Sequence, residues 1–339
     1  MTETVLVTGG TGFVAGWCIV DLLQRGYAVR TTVRDAAKER AVRTAVSSEF
    51  DPGDRLTCHV ADLMSDDGWD AAVAGCDYVL HVASPMGTGN PKDPDELIVP
   101  ARSGAVRVLA AATRAEVKRV VLTSSCAAAT PSAKDTADVL DETVWTDTDD
   151  TKLDAYRKSK AIAERAAWQF MADNPGPTTL TTVLPGAIFG PVLSAAGLGS
   201  VQVIGRMLQG RMPGSPRIGL EVVDVRDVAD LHIRAMTSQA AAGERFIAVN
   251  EFLWMADVAR ELRAKLGASA SKVPTRPLPD IALRAMSVFD PSVRAITPML
   301  GRKFVHTSAK AQRELGWRPR PAGTTVVDCA ESLIARNAL

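Results

Sequence analysis

The sequence predicts an α/β chain, a doubly wound parallel sheet with a smaller C-terminal substrate-binding cap. Three observations carry that expectation. A short apolar run, Thr4-Val5-Leu6-Val7, leads at once into a glycine turn and an apolar helical stretch reaching Arg25. Runs of strand type then alternate with helical stretches to about residue 189, the rhythm of parallel strands joined by helical crossovers. Beyond residue 190 that rhythm breaks, and Pro- and Gly-rich stretches alternate with amphipathic helices, as expected of a cap. The division is therefore 1–189 for the sheet unit, with some later segments returning to it, and 190–339 mainly for the cap.

The first turn reads Thr8-Gly9-Gly10-Thr11-Gly12-Phe13-Val14-Ala15. Glycines belong where the chain turns sharply and where its backbone approaches a pyrophosphate, which the free N–H groups and dipole of a helix N-terminus favour. Gly9, Thr11, Gly12, Phe13 and Val14 are thus candidate dinucleotide contacts, with Ala15 where a third glycine often stands. The second strand, Ala28–Val33, ends in Arg34 rather than an acid. A carboxylate there would grip the ribose 2′-hydroxyl of NAD; a guanidinium accommodates the 2′-phosphate, so Arg34 argues for NADP(H). Lys38 and Arg40 are second partners for that phosphate, and Asp35 stands one place late for the ribose role.

A third strand, Leu56–Val60, runs into Asp62-Leu63, and a fourth, 78–82, runs into Ala83-Ser84-Pro85. Strand ends of an open parallel sheet line the ligand crevice. Asp62 is placed to accept from an adenine amino group, and Val82, Ala83 and Ser84 to pass along the cofactor; His81, inside the strand, reads as packed rather than catalytic. A helix over 100–115 leads to a fifth strand, 119–122, ending in Thr123-Ser124-Ser125. A helix over 156–174 stops at Pro175-Gly176-Pro177, and a sixth strand, 179–184, ends in Pro185-Gly186-Ala187-Ile188.

Tyr156-Arg157-Lys158-Ser159-Lys160 opens that last helix. Residues four apart share a helix face, so the Lys160 ammonium can stand beside the Tyr156 phenol. A positive charge about 5 Å away at an effective dielectric of about 20 favours phenolate by roughly 3 kcal/mol, a downward shift of about two pKa units. Such a phenol can protonate the alkoxide that forms when hydride reduces a carbonyl. A hydroxyl from Thr123-Ser124-Ser125 can hold the substrate oxygen opposite it.

Composition narrows the field further. The formal net charge is zero and the pI about 6.9, with no basic run, so neither nucleic acid nor an anionic membrane is an expected partner. The five cysteines lack C-x-x-C spacing, which fits free thiols, and the four histidines are isolated, so no metal site is indicated. The first strand begins almost at the initial Met and no apolar run approaches the roughly 20 residues that cross a bilayer, so a cytoplasmic protein is expected.

Taken together, these residues resemble the extended short-chain dehydrogenase/reductases, with a Rossmann-like fold, and within them the branch of dihydroflavonol reductases, cinnamoyl-CoA reductases and microbial aldehyde and ketone reductases. The matches are Val7-Thr8-Gly9 to Ala15, Thr32-Val33-Arg34, Asp62-Leu63, His81 to Pro85, Thr123-Ser124-Ser125, Tyr156 to Lys160 with Ala163-Glu164, and Leu184-Pro185-Gly186. Asp224-Val225-Arg226-Asp227-Val228-Ala229 and Leu315-Gly316-Trp317-Arg318-Pro319 extend it through the cap. The resemblance implies a catalytic set of Ser125, Tyr156 and Lys160, with Ser124 the runner-up serine, Lys160 also bonding the nicotinamide ribose, and Pro185 and Ile188 touching the cofactor. It implies an NADPH-dependent reductase of a small aldehyde or ketone, with a pocket built from residues 84–88, the segment after Pro185 and the cap. A homodimer is left open. The rivals are a sugar-nucleotide epimerase or dehydratase and a dinucleotide-sensing protein without chemistry. The first usually has an acid at the second strand's end, where Val33-Arg34 stands, and the second has no need of Tyr156 and Lys160.

Overall fold

A computed structural model describes residues 2–85, 91, 93–131, 139–151, 153–195 and 199–339. The elements of the first half are β1 (Thr4–Val7), α1 (Phe13–Gln24), β2 (Ala28–Val33), α2 (Glu39–Ser47), β3 (Leu56–Val60), α3 (Trp69–Val73), β4 (Tyr78–His81), α4 (Asp95–Arg114), β5 (Arg119–Thr123), α5 (Ala155–Asp173) and β6 (Thr179–Pro185). There follow β7 (Ala187–Phe189), α6 (Gln202–Leu208), β8 (Ser215–Pro216), β9 (Gly219–Asp224), α7 (Val225–Thr237), β10 (Arg245–Ala248), β11 (Glu251–Trp254) and α8 (Met255–Leu266). The chain ends with β12 (Pro277–Leu278), α9 (Asp280–Met286), α10 (Pro291–Ile296), α11 (Ala309–Leu315) and α12 (Ala322–Ala335).

Seven strands form one parallel sheet in the order β10-β6-β5-β4-β1-β2-β3. Its strands are near-continuous apolar runs because helices cover both faces. Side chains alternate between the two cores with period two. Val5 and Val7 of β1, Leu80 of β4 and Val121 of β5 meet α1, α2 and α7 on one side. Leu6, Val79, Val120 and Leu122 meet α3, α4 and α5 on the other. Strand order reverses between β1 and β4, and that reversal opens a crevice at the carboxyl ends of the strands.

After β6 the chain crosses at Gly186 into a three-stranded sheet, β11-β9-β7. A Cβ at Gly186 would lie 2.3 Å from the Glu221 carbonyl oxygen, so only glycine lets the two backbones pass. This second sheet packs with α6, α8 and α12 around Phe189, Ile204, Val222, Leu262 and Val326. Both α7 and β10 return to the main sheet unit, β10 as its edge strand beside β6.

The predicted strands match to within one residue at their ends. The fourth helix differs: it starts at Asp95, so Pro100 lies inside it rather than at its first turn. The proline costs the bond its missing N–H would have made to the Glu96 carbonyl. Leu97, Ile98 and Ala101 are buried on either side of it, and that packing holds the helix through the gap.

Candidate active site

The nucleotide end of the crevice is built from the turn after β1. Gly9 has φ +74, and a Cβ on it would stand 2.9 Å from the Ala83 Cβ, so glycine is required twice over. Its N–H donates to Thr32 Oγ1 at 2.9 Å, and the Gly10 N–H donates to the Thr32 carbonyl at 2.9 Å. The neighbouring Thr8 hydroxyl ties β1 to β4, accepting from the Val82 and Ala83 amides at 3.1 and 2.9 Å. That leaves its proton for His81 Nδ1, 2.9 Å away. Burial pulls His81 down to about 3, so the imidazole is a neutral packed group as the sequence suggested.

Gly12 caps α1 with no side-chain hydrogen bond, and the first-turn amides that follow it are open to an anion. At the end of β2, Arg34 is exposed, as are Lys38 and Arg40. Asp35 instead accepts the Ala37 amide at 2.9 Å and caps the turn after the strand, which explains its offset from the ribose position. Asp62 Oδ1 accepts the Met64 amide at 2.9 Å in an Asx turn. Leu63 packs against Gly104 of α4. Pro185 ends β6, and Ile188 is half-buried in β7.

The reactive end lies across the crevice. Asp154 caps α5 by accepting the Arg157 amide at 2.9 Å, which sets Tyr156 in the first turn. The Ser125 side chain, whose Oγ accepts the Ala127 amide at 3.2 Å, stands close enough to the Tyr156 phenol to favour its ionised form. Ser124 does not compete for that role, because its hydroxyl donates to Glu164 Oε2 at 2.6 Å. Lys160 Nζ donates to Ser84 Oγ at 3.1 Å. Tyr156, Ser125, Lys160 and Ser84 thus come together from α5, the end of β5 and the end of β4. The pocket residues expected after Pro85, numbers 86–88, lie outside the described residues.

The electrostatics differ from expectation. Burial pushes the Tyr156 phenol above its ordinary value; the neighbouring Ser125 hydroxyl opposes this, and Asp154 and Cys126 add to it. The residue as a whole is 43% exposed, so this concerns the packed surroundings of the hydroxyl, not an enclosed ring. The Lys160 ammonium, turned to Ser84, is not among the groups that lower the phenol. Burial brings Lys160 itself down to about 8, against the opposing pull of Glu164.

Glu164 is the residue whose role sequence reasoning missed. It is 1% exposed and accepts from Ser124, from Thr182 Oγ1 at 2.8 Å and from Arg245 Nε at 2.8 Å. Arg245 in turn donates to the Glu142 and Val144 carbonyls and lies 3.7 Å from the Trp145 ring centroid. The legible signal was spacing: Tyr156, Lys160 and Glu164 stand at i, i+4 and i+8 on one helix. His232 is a second such residue. Its Nδ1 donates to the Val228 carbonyl at 2.7 Å, and its Nε2 accepts from Thr123 Oγ1 at 2.7 Å.

Residues 5–249 match the family model described as the NAD dependent epimerase/dehydratase family. The chain belongs to this family, the extended short-chain dehydrogenase/reductases. An anthocyanidin reductase of Vitis vinifera is 38% identical over 256 residues, 71% of this chain and 75% of that protein. Cinnamoyl-CoA reductase 2 of Arabidopsis thaliana is 37% identical over 251 residues, 73% of each chain. Among solved structures, yeast methylglyoxal/isovaleraldehyde reductase Gre2 complexed with NADPH superposes with a TM-score of 0.82 at 25% identity, covering 99% of this chain and 100% of that one. These likenesses place the chain among the NAD(P)-dependent reductases of the family. Among the described residues no helix is long and apolar enough to cross a membrane. The dinucleotide fits what this extended short-chain reductase shows: a Cβ-free approach at Gly9, an uncapped helix N-terminus, and exposed cations after β2.

Proposed function

We propose that the protein is an NADPH-dependent carbonyl reductase that converts an aldehyde or ketone to the alcohol, with Tyr156 as general acid. The observation that carries this reading is the juxtaposition of the Ser125 side chain and the Tyr156 phenol at the carboxyl ends of the strands, close enough for Ser125 to favour the phenolate, with Lys160 one turn along the same helix and bonded to Ser84. Reduced nicotinamide, when bound, supplies the hydride. The remaining work belongs to the chain. Ser125 holds the carbonyl oxygen, and Tyr156, protonated at neutral pH because burial raises its phenol, gives that oxygen a proton as negative charge develops on it. Lys160, turned to Ser84 at the end of β4, is within reach of the ribose hydroxyls a nicotinamide would present. Gly9 to Val14 hold the pyrophosphate, Asp62 and Leu63 face the adenine, and Val82, Ala83, Ser84, Pro185 and Ile188 flank the nicotinamide half.

Arg34, with Lys38 or Arg40, selects NADPH by pairing with the 2′-phosphate. The relatives favour reduction over epimerisation: the anthocyanidin reductase, the cinnamoyl-CoA reductase and Gre2 are all reductases, and Gre2 carries NADPH. Purified protein mixed with NADPH and a panel of aldehydes and ketones should consume NADPH in step with alcohol formed. A panel that leaves NADPH untouched, or one served equally by NADH, would overturn the activity or the cofactor assignment respectively.

A further inference from the structure

Three side chains with metal-binding atoms meet beside the turn that follows Ser125. Cys126 opens that turn, Glu221 lies on β9, and His306 stands in the segment ahead of α11. The cysteine sulfur, a carboxylate oxygen and a ring nitrogen all lie within 4.8 Å of one another. Cys126 and His306 are buried, and the Glu221 side chain keeps 15% of its surface open. No spacing in the sequence marks the group, because each member comes from a different part of the chain.

The hydrogen bonds around these side chains hold them as ligands are held. His306 donates from Nδ1 to Glu221 Oε2 at 2.7 Å and from Nε2 to the Ala129 carbonyl at 3.1 Å. A histidine that ligates through one nitrogen needs such a partner on the other to fix its ring. The His306 main-chain amide donates to Glu221 Oε1 at 2.5 Å and orients the carboxylate in the same way. The Cys126 thiol donates to the Leu184 carbonyl, 3.2 Å away. Charge balances too. A divalent ion would replace two protons, that of the thiol and the one between His306 and Glu221, so the net charge of the buried group is unchanged. Bonds of about 2.0–2.3 Å to a tetrahedral ion place ligand atoms roughly 3.3–3.7 Å apart. Seating it therefore opens the His306–Glu221 pair by less than about 1 Å and draws the sulfur inward.

We propose that Cys126, Glu221 and His306 form a Zn²⁺ site that fastens β9 and the segment ending at His306 to the turn after Ser125. Thiolate and imidazole together select zinc and ions like it over Mg²⁺ and Ca²⁺, which take oxygen ligands. Three protein ligands leave the fourth tetrahedral position to water, and the open edge at Glu221 is the path by which ion and water enter. The site does not depend on the reductase reading, and its test needs no turnover.

The full-length chain, dialysed against a chelator, is titrated with Zn²⁺ and separately with Co²⁺. Zn²⁺ should bind at about one ion per chain with a dissociation constant of about 1 μM or below, and should raise the melting temperature. Co²⁺ should show thiolate-to-metal charge-transfer absorption, which only a bound sulfur gives. Cys126→Ser nearly keeps the packing and removes the sulfur. It should lose that absorption and the thermal shift and weaken Zn²⁺ by at least about tenfold, while its metal-free melting temperature stays close to that of wild type. Glu221→Gln, whose amide oxygen can still accept from His306, should weaken Zn²⁺ in the same direction and serves as the second variant if Cys126→Ser does not fold. Absence of stoichiometric Zn²⁺ binding to the wild-type chain overturns the proposal. So does Zn²⁺ affinity that either variant leaves unchanged, or charge-transfer absorption that survives in Cys126→Ser, since the ion would then sit on other residues.

Discussion

A phenol can act as an acid only while it holds its proton, and burial ensures that for Tyr156. Tyr156→Phe removes the hydroxyl and little else, so turnover should fall by roughly 10²–10⁴-fold with NADPH affinity nearly unchanged. Fluorescence titration with NADPH beside a rate assay separates the two, and wild-type turnover in the variant would remove Tyr156 from its role. Lys160 sets the pH dependence. With its ammonium brought down to about 8, it is charged at pH 7 and loses its charge as pH rises through that value, and with it the donor that would hold the nicotinamide ribose. The rate should therefore decline with an apparent pKa near 8, and a pH–rate profile reads that limb directly. The Glu164 carboxylate pulls Lys160 upward, so Glu164→Gln should move the limb to lower pH. An unmoved limb would show that Lys160 does not govern it. At the far end of the site, Arg34→Glu should shift preference from NADPH toward NADH, measured as the ratio of their kcat/KM values.

Elements decide how these residues meet, and they were unequally legible in the sequence. Strands β1 to β6 and the turn after β1 could be read because their signals are local: apolar runs of four to seven residues, glycines at fixed spacing, a hydroxyl or charge at each strand end. The Tyr156–Lys160 face could be read for the same reason. What could not be read was long-range. The Glu164–Arg245 pair joins residues 81 apart, and the Thr123–His232 bond joins residues 109 apart. Nor does helix spacing say which way an ammonium turns; Lys160 reaches Ser84 at the end of β4 rather than the phenol, so burial decides the direction for Tyr156. The glycine turn offers a prediction at this scale. Gly9→Ala meets both a positive φ and the Ala83 Cβ at 2.9 Å, so it should cost about 1–3 kcal/mol of stability and displace the turn from the pyrophosphate. Chemical denaturation and dinucleotide titration should show both losses together; a fully stable variant with unchanged NADPH affinity would contradict the tight packing of the turn.

Across the whole molecule, the strand ends that frame the crevice are knitted by two buried histidines. His81 joins β4 to β1 through Thr8, and His232 joins α7 to β5 through Thr123. Burial holds both neutral, His81 at about 3 and His232 at about 4, against an ordinary value of 6.5. The unfolded chain takes up these protons first, so the stability each contributes is present above about 6.5 and is lost as pH falls toward the folded value. Asp227 acts in the opposite sense. Its carboxyl, raised to about 6 by burial, protonates in the folded state first and stabilises it as pH falls below that. A single acid-denaturation curve mixes these effects, but a variant difference isolates one of them. His232→Gln removes that imidazole's titration while Gln can still accept from Thr123. The variant will be less stable than wild type at pH 7 through imperfect packing. Between pH 7 and pH 5 that deficit should shrink by up to about 2 kcal/mol, because only the wild-type protein forfeits the protons its unfolded chain binds. Urea titrations of both proteins at the two pH values measure it, and a deficit that stays constant would mean that His232 is already charged in the folded protein, in conflict with the burial that holds it neutral.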